Sequence, residues 1–581
     1  MHVAKVTNRY RTKSGEDRVY VSQLLRRTFR DGGKVKHETL ANLSPLPGPA
    51  IDAVRACLAG KELLVAGEDL TVTRSVPHGH VAAVHGQARA LRLPELLGPA
   101  GRLRDLALAL VVARVVRPAS KLATTRWWAD TTLAVDLGVA DAGTDEVYAA
   151  LDWLADRQGQ VEAALADRHL ASAANPARTA LYDLSSSWVT GRCCPLAAHG
   201  YSRDGKKGYP QIEYGLLTDP AGRPVAVQVF PGNTADPAAF IAAVDTVRER
   251  FGLTDLTLVG DRGMITSARI VALRELGGLG WVTALRAPAV AALAADTGPL
   301  QLSLFDQADL AEISHPDYPG ERLVACRNPA LAQERARKRR ELLAATETDL
   351  DKIVAAVQAG RLVDAGAIGR RVGRVDGKRK MAKHFVLAIA PGSFAYSRDE
   401  PSIAAETALD GIYVLRTSLP ADRADAAQVV ATYKSLARVE RDFRSLKTID
   451  LDLRPIRHYT ERRVRGHVFL CMLAAYLVWH LRTAWAPLTF TDQAPPIRTD
   501  PVTPARRSEA AERKAATQHT DDQLPARSFG DLLSHLATLT RNDMHVAGTP
   551  DDQTFQLLTV STPSQQRAFD LIHTPIPLRL R

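Results

Sequence analysis

Residues 180–189 read ALYDLSSSWV, and this stretch with the elements after it decides the fold. It is apolar around Asp183, and alternation places Leu181, Asp183 and Ser185 on one face of a predicted β-strand. Further strands are predicted at 211–218, 224–230, 256–261 and 281–285, with helices at 236–251 and 266–276. The chain therefore predicts three strands with hairpin-like links, followed by two helix–strand units.

This order of elements is that of a ribonuclease H-like α/β core, a mixed five-stranded sheet with helices on both faces. Residues ~290–405 interrupt it with a highly charged helix and short strands. We expect this insert to form a subdomain beside the core without adding strands to the central sheet. An apolar strand at 410–415 then returns to the core, followed by helices over about 425–447 and 464–485.

Composition shifts suggest seven segments along the chain. We expect an N-terminal β-hairpin region (1–75), a helical region expected to bind DNA (76–175), the first part of the core (176–289), an insertion subdomain (290–408), the second part of the core (409–486), a mobile linker (487–528) and a C-terminal tail (529–581). The turn Asp31-Gly-Gly marks the hairpin of the first segment.

The charge balance favours a polyanionic partner. The 581 residues hold 75 Lys and Arg against 64 Asp and Glu, a formal net charge of +11, which suits nucleic acid first. The five cysteines are scattered and lack zinc spacing, so we interpret them as reduced thiols in a cytoplasm. The N-terminus has no apolar signal core, and the longest apolar runs fall short of the ~20 residues of a membrane span. We expect a cytoplasmic protein without membrane association.

Two aspartates lie where a sheet can carry chemistry. Asp183 stands alone in an apolar strand, which is costly unless the carboxylate is paired or binds metal. Asp261 ends an apolar strand between Gly260 and Gly263, at the edge where α/β sheets bind ligands. The alternatives are a hydrogen-bonded structural Asp183 and a turn Asp261 that opens the next helix.

A third carboxylate lies on the predicted long helix. Val429, Leu436 and Phe443 recur every seven residues and form its apolar stripe. Tyr433, Glu440 and Lys447, also seven apart, share one edge of that stripe, with Arg444 one step further toward solvent. The alternative is a solvated helix flank. Asp442 points away from Glu440 and is a poorer candidate for the same site.

Three carboxylates at an open sheet edge suit two divalent metal ions. Hard oxygen ligands select Mg²⁺, with Mn²⁺ as a substitute. Two such ions can activate a water or a 3′-hydroxyl and stabilise the leaving oxygen of a phosphodiester. Nearby Arg and Lys side chains can hold phosphates without reading the base sequence.

The chain resembles the DDE transposases of bacterial insertion sequences, and within them the group with a Y-x2-R-x3-E-x6-K signature and an insertion domain between the second and third acids. Tyr433, Glu440 and Lys447 stand at the signature spacing, whereas Leu436 stands where Arg is expected. Arg438 is close in sequence but on another helix face. Other matching stretches are DGGKVKHETLANLS (31–44), YSRDGKKGYPQIEYGLLTD (201–219), FPGNTAD (230–236), VGDRGM (259–264), DGIYVLRT (410–417) and ERRVRGHVFLCMLAAYL (461–477). The resemblance extends from about 18 to 480 and again near 529–575.

The resemblance implies Mg²⁺-dependent cleavage of transposon ends and 3′-hydroxyl strand transfer into target DNA. Asp183, Asp261 and Glu440 would be the catalytic and metal-binding triad. Tyr433 and Lys447 would contact phosphates near the transposon end, and Arg444 and Arg262 are further DNA-binding candidates. The partners would be double-stranded DNA, at the transposon ends and the target, and a second copy of the chain in a synaptic homodimer.

Two other functions remain open at this point. One is a decayed or repurposed relative that still binds DNA without cutting it. The other is a cellular nuclease with the same ribonuclease H-like fold.

Overall fold

The structure is a computed structural model, which describes residues 1–11, 15–61, 63, 70–171, 173–295, 298–305, 308–496, 502, 506–546 and 554–580. The chain divides into two units, Met1–Val76 with Thr540–Thr559, and Pro77–Leu539 with Val560–Arg581.

The first unit begins with a three-stranded antiparallel sheet. The sheet consists of β1 (His2–Arg11), β2 (Asp17–Asp31) and β3 (Lys34–Asn42). The helix α1 (Gly48–Leu58) and the strand β4 (Leu70–Pro77) follow it in this unit. The predicted hairpin turn joins β2 to β3 through Gly32 and Gly33, whose φ values are +55° and +78°. Two successive positive φ values are characteristic of the tight hairpin turns that glycine favours.

Seven helices open the second unit: α2 (Gly79–Ala90), α3 (Leu93–Leu97), α4 (Arg102–Val116), α5 (Lys121–Trp127), α6 (Leu133–Asp136), α7 (Thr144–Asp156) and α8 (Gln158–Leu170). Their buried apolar side chains belong to the same hydrophobic core as those of the central sheet. The helical region is therefore part of the main core of this unit.

The central sheet follows the predicted order. Its first part comprises β5 (Thr179–Trp188), β6 (Gln211–Thr218), β7 (Pro224–Pro231), α9 (Asp236–Asp245), β8 (Leu256–Val259), α10 (Ser267–Leu276), β9 (Leu279–Ala284) and α11 (Ala287–Leu293). β5, β6 and β7 are antiparallel neighbours, whereas β8 runs parallel to both β5 and β9.

The insert departs from the expectation. It comprises β10 (Leu310–Ile313), β11 (Arg322–Arg327), α12 (Pro329–Gln358), α13 (Ala365–Arg379), β12 (Phe385–Ala390), β13 (Ser393–Arg398) and α14 (Glu400–Ala408), and β14 (Ile412–Thr417) follows. The sheet has eight strands in the described residues, in the order β10-β11-β14-β9-β8-β5-β6-β7. The expected count of five was wrong, and so was the expectation that the insert adds none.

The physical reason lies in β11 and in the open edge of β14. Leu323, Val324, Ala325 and Cys326 are consecutive and all buried, so β11 buries both of its faces. Pairing with β14 satisfies its backbone hydrogen bonds there. The remainder of the insert does form a separate hydrophobic cluster, built from α12, α13, β12 and β13.

The helix expected over 425–447 is divided. α15 (Ala426–Lys434) and α16 (Leu436–Arg444) are separated at Ser435, whose Oγ donates to the carbonyl of Thr432 at 2.6 Å. Such back-bonding to the preceding turn bends helices. A π-helical turn, Ser445–Ile449, follows α16.

The next helix, α17 (Glu461–Ala484), is long and apolar enough to cross a membrane by length and composition alone. However, 83% of its apolar window is buried inside the protein, as in the core helix of a soluble fold.

The last elements are α18 (Glu509–Thr517), α19 (Phe529–Ala537), β15 (Thr540–Val546), β16 (Thr554–Leu558) and α20 (Pro563–Leu571). In the first unit, β15 lies between β16 and β4. The segment 487–528, expected to be a mobile linker, contains α18 in its described part. Lys514 on α18 is buried and donates to the carbonyl of Thr489 at 2.9 Å, which fixes this helix in place.

One buried ion pair links the insert to the sheet and predicts a stability effect. Glu321, 1% exposed, accepts two hydrogen bonds of 2.6 Å from Arg416 on β14 and one of 2.8 Å from Arg274. We expect Glu321→Gln to lower the free energy of unfolding by about 3–5 kcal/mol, because the buried guanidinium of Arg416 loses its counter-charge. Urea unfolding measures it. The control, Glu341→Gln, removes a 61%-exposed partner of Arg337 and should cost less than about 1 kcal/mol. Equal effects of the two variants would contradict this account.

Candidate catalytic site

Asp183 lies on β5 with its side chain partly buried. Its Oδ1 accepts a hydrogen bond of 2.8 Å from the backbone N–H of Leu184. Burial first, and then the negative charges of Asp261 and Glu440, raise the pKa of the Asp183 carboxyl to about 7, against the opposing effects of the Leu184 hydrogen bond and of Arg203. The carboxyl is therefore held beside other negative charge with too little positive charge to balance it.

Asp261 lies beside Asp183 because of the strand register. Leu181 on β5 pairs with Val259 on parallel β8, and each aspartate comes two residues later. The chain turns at Asp261, whose carbonyl accepts hydrogen bonds from the N–H groups of Met264 and Ile265 at 3.0 and 3.2 Å. The Asp261 side chain is exposed at this edge of the sheet.

Glu440 reaches the same place from α16. Val439 and Phe443 of this helix are buried against the core, and Glu440 is exposed between them. Asp183, Asp261 and Glu440 line one cavity of about 560 Å³, which we call the acidic cavity. The structure therefore brings together the three carboxylates that were predicted from separate parts of the sequence.

The donor set fits divalent cations. The three side chains offer hard carboxylate oxygens, and their mutual repulsion is the kind of uncompensated charge that Mg²⁺ would neutralise. In the part of the chain that the structure describes, no three His, Cys, Asp or Glu side chains are grouped tightly enough to hold an ion as they stand. The carboxylates thus share a cavity without meeting at one point.

The four candidate DNA-binding residues have different surroundings. Tyr433 lines the acidic cavity, and burial, with the charge of Asp261 second, raises the pKa of its phenol. Arg262 and Arg444 are exposed. Lys447 is buried, and its Nζ donates to Asp204 at 2.7 Å instead of facing solvent. Lys447 lies in the π-helical turn after α16, so it does not continue the helix edge of Glu440.

Leu436 stands where the signature Arg is expected. Leu436 itself lines the acidic cavity, whereas Arg438 donates to the carbonyl of Pro220 and does not line it. Asp442 does not line it either, and burial raises the pKa of its carboxyl to about 8. In this arrangement neither Arg438 nor Asp442 can take part in the site.

Several cavity residues were not singled out from the sequence. Arg203, Lys434 and Asn328 line the acidic cavity. Arg203 lies in the matching stretch 201–219, but no periodicity linked it to the aspartates. Lys434 directly follows Tyr433, the first residue of the signature, and is not itself a signature position.

The raised pKa of Asp183 predicts a pH-dependent stability. The contribution of this carboxyl to folding is present below about pH 4 and is lost as the pH rises toward about 7, because burial penalises its charged form. In EDTA at pH 8, Asp183→Asn should be more stable than the parent by about 2–4 kcal/mol, at about 1.4 kcal/mol per pKa unit. Denaturant unfolding at pH 8 and pH 4 measures this. The difference should vanish at pH 4, and a pH-independent difference would contradict the burial of charge.

Comparisons with known proteins bear on this site. The transposase DDE domain family matches residues 185–477, just over half of the chain's 581 residues, starting two residues after Asp183. The N-terminal domain of IS1634 family transposases matches residues 7–66. No curated protein matches the chain. One similar solved structure is a piggyBac transposase synaptic complex with hairpin DNA, at 10% identity and a TM-score of 0.33 over 70% of this chain and 73% of that one. The chain belongs to the DDE transposases and carries the N-terminal domain of the IS1634 family.

Proposed function

We propose that this transposase binds the terminal repeats of its own insertion sequence, cleaves DNA there with Mg²⁺, and transfers the freed 3′-hydroxyl into target DNA. The observation that carries the proposal is the convergence of Asp183, Asp261 and Glu440 on one cavity. Asp183 lies within β5, Asp261 follows the end of the adjacent parallel strand β8, and Glu440 lies on α16.

The proposed catalytic core is ribonuclease H-like. Its support is the strand order β7-β6-β5-β8-β9, with three antiparallel strands followed by two parallel ones. In this proposal β14, β11 and β10 are an extension at the β9 edge, and α15 and α16 deliver the third acid after the insert.

Each residue then has a distinct role. Asp183, Asp261 and Glu440 would hold the metal, and Asp183 must be deprotonated to do so. When bound there, Mg²⁺, or Mn²⁺ in its place, would supply activation of the attacking oxygen and stabilisation of the leaving one. The phenol of Tyr433 is protonated at neutral pH, as tyrosine ordinarily is, and burial raises its pKa further, so it can donate to a phosphate oxygen without repelling it.

Basic side chains outside the cavity would hold the DNA backbone. Arg262 follows Asp261 directly, and Arg444 lies one turn beyond Glu440, both with exposed side chains. Lys447 would join them only by exchanging Asp204 for a phosphate. The net charge of +11 supports duplex DNA as the partner. The proposed reaction joins two transposon ends, for which we propose a homodimer of this chain on DNA, acting in a cytoplasm.

The proposal predicts a separation of cleavage from binding. Asp183→Ala, Asp261→Ala and Glu440→Ala should each abolish Mg²⁺-dependent nicking and strand transfer, while end binding stays within about threefold, since affinity comes mostly from Lys and Arg. Gel assays on the element's end fragment measure both. Asp442→Asn, a buried acid outside the cavity, is the matched control and should nick normally. Nicking by Glu440→Ala, together with its loss in Asp442→Asn, would refute the assignment of the third acid.

Lys447 allows a test of its proposed phosphate contact. Lys447→Ala should weaken binding to cleaved ends and reduce the slope of log K against log salt by about 0.9, the value of one phosphate contact. The Mg²⁺ concentration for half-maximal nicking on saturating DNA should stay unchanged. Lys352→Ala, which removes an exposed lysine paired with Asp349, is the control. An unchanged slope would mean that Lys447 serves only its ion pair with Asp204.

A further inference from the structure

A second cavity adjoins the acidic cavity. Its volume is about 440 Å³, within the range of about 300–1,000 Å³ typical of ligand pockets. Asp183, Asp261 and Arg203 line both cavities, whereas Glu440 lines only the acidic one. The two aspartates therefore lie at the boundary between the two cavities, with one cavity on each side.

Arg203 is the one cation among the described residues that line the second cavity. Its Nη2 donates to Asp236, the first residue of α9, at 2.5 Å. Its Nη1 lies 3.5 Å from Oε2 of Glu213, which is 2% exposed. Within the described chain, neither of these two buried atoms has a hydrogen-bond partner. A buried donor or acceptor without a hydrogen bond lowers the stability of the fold. The mutual attraction of Arg203 and Glu213 therefore does not by itself explain why both groups are buried here.

The loop that carries Arg203 is fixed at Arg203 itself and at the two residues Gly200 and Tyr201 just before it. The Arg203 N–H donates to Oγ of Ser186 on β5 at 2.9 Å. Gln211 donates to the carbonyls of Tyr201 and Gly232, both at 2.9 Å. Gly200 packs so closely that a Cβ there would lie 2.1 Å from the Gly232 carbonyl oxygen. The guanidinium is thus preorganised at the boundary, as binding groups of functional sites are.

We infer that the second cavity is a strand-binding subsite, in which the partly exposed guanidinium of Arg203 donates to a phosphate oxygen of the DNA strand being cut. The inference rests on the proposed function. Four carboxylates line this cavity, those of Asp183, Glu213, Asp236 and Asp261, so among its described lining residues Arg203 is the one side chain that attracts an anion. Guanidinium groups bind phosphate oxygens through short, directional hydrogen bonds.

The strand would then cross the boundary between the cavities. The scissile phosphate lies at Asp183 and Asp261, nucleotides on one side of it face Glu440 and Tyr433, and the adjacent phosphate on the other side meets Arg203. Arg203 is a catalytic residue in this arrangement, because it touches the substrate and fixes the strand on the metal-binding side chains.

The test uses the full-length protein and the element's end fragment with Mg²⁺. Single methylphosphonates, which remove the charge of one phosphate, are placed at successive positions around the scissile bond, and single-turnover cleavage is measured. The parent should lose activity at one phosphate adjacent to the scissile bond. Arg203→Gln should cleave the ordinary fragment about 100-fold more slowly and no longer respond to that methylphosphonate. Arg203→Lys should recover part of the rate.

A matched, partly buried arginine distinguishes a DNA contact from a purely structural role. Arg223, ion-paired with Asp219 and outside both cavities, is replaced in Arg223→Gln, which should keep the parent's pattern of sensitive phosphates. The inference is overturned if Arg203→Gln keeps that pattern, or if it cleaves within threefold of the parent. The parent alone also tests it, because insensitivity at every adjacent phosphate overturns it whether or not a variant folds. A parent that cleaves no DNA would refute the proposed function itself, and this inference with it.

Discussion

The parallel pairing of β5 with β8 is the constraint on which the site depends. Because Leu181 pairs with Val259, the aspartates two residues further along each chain segment lie side by side, where the pairing of β5 with β8 ends. A shift of one residue in this register would turn one carboxylate into the opposite face. The apolar residues of both strands fix that register by burial: Leu181, Leu256, Leu258 and Val259 are all within the core.

That pairing brings negative charges close together, and the resulting electrostatic cost falls on Asp183. The raised pKa of Asp183 shows that its charge is disfavoured by burial and by the neighbouring acids. Arg203 offsets part of this charge, but it is itself held by Asp236 and faces Glu213. In an otherwise consistent fold, buried charge that is not compensated is typical of functional sites. The imbalance therefore gives a physical reason to regard this edge as functional that is independent of family membership.

The sequence predicted what depends on local pattern. Alternation and turn residues located the strands that carry Asp183 and Asp261, and the seven-residue recurrence located the helix edge of Tyr433 and Glu440. The break at Ser435, where the Ser435 hydroxyl donates to the backbone, and the π-helical turn were both missed, because neither disturbs the apolar stripe. That turn is also where the expected orientation of Lys447 failed, since its ammonium is bound to Asp204.

Long-range contacts were beyond prediction for a different reason. Arg203, Glu213 and Asp236 lie in a loop, a strand and a helix start, and only the folded sheet makes them neighbours. Likewise β11 is a six-residue strand in a charged segment, and its partner β14 lies beyond the rest of the insert. Nothing local in either sequence indicates which sheet edge they share.

The pairing of β11 with β14 changes how the insert relates to the site. Asn328 directly follows β11, caps α12 by accepting from the N–H of Leu331 at 3.1 Å, and lines the acidic cavity together with Tyr413 of β14. Its own N–H donates to the carbonyl of Gly411 at 2.9 Å, two residues before Tyr413. The first residue before the long helix α12 is therefore also a wall of the cavity. Because α12 begins at that wall and packs on α13, the insert contributes directly to the cavity that the three carboxylates line.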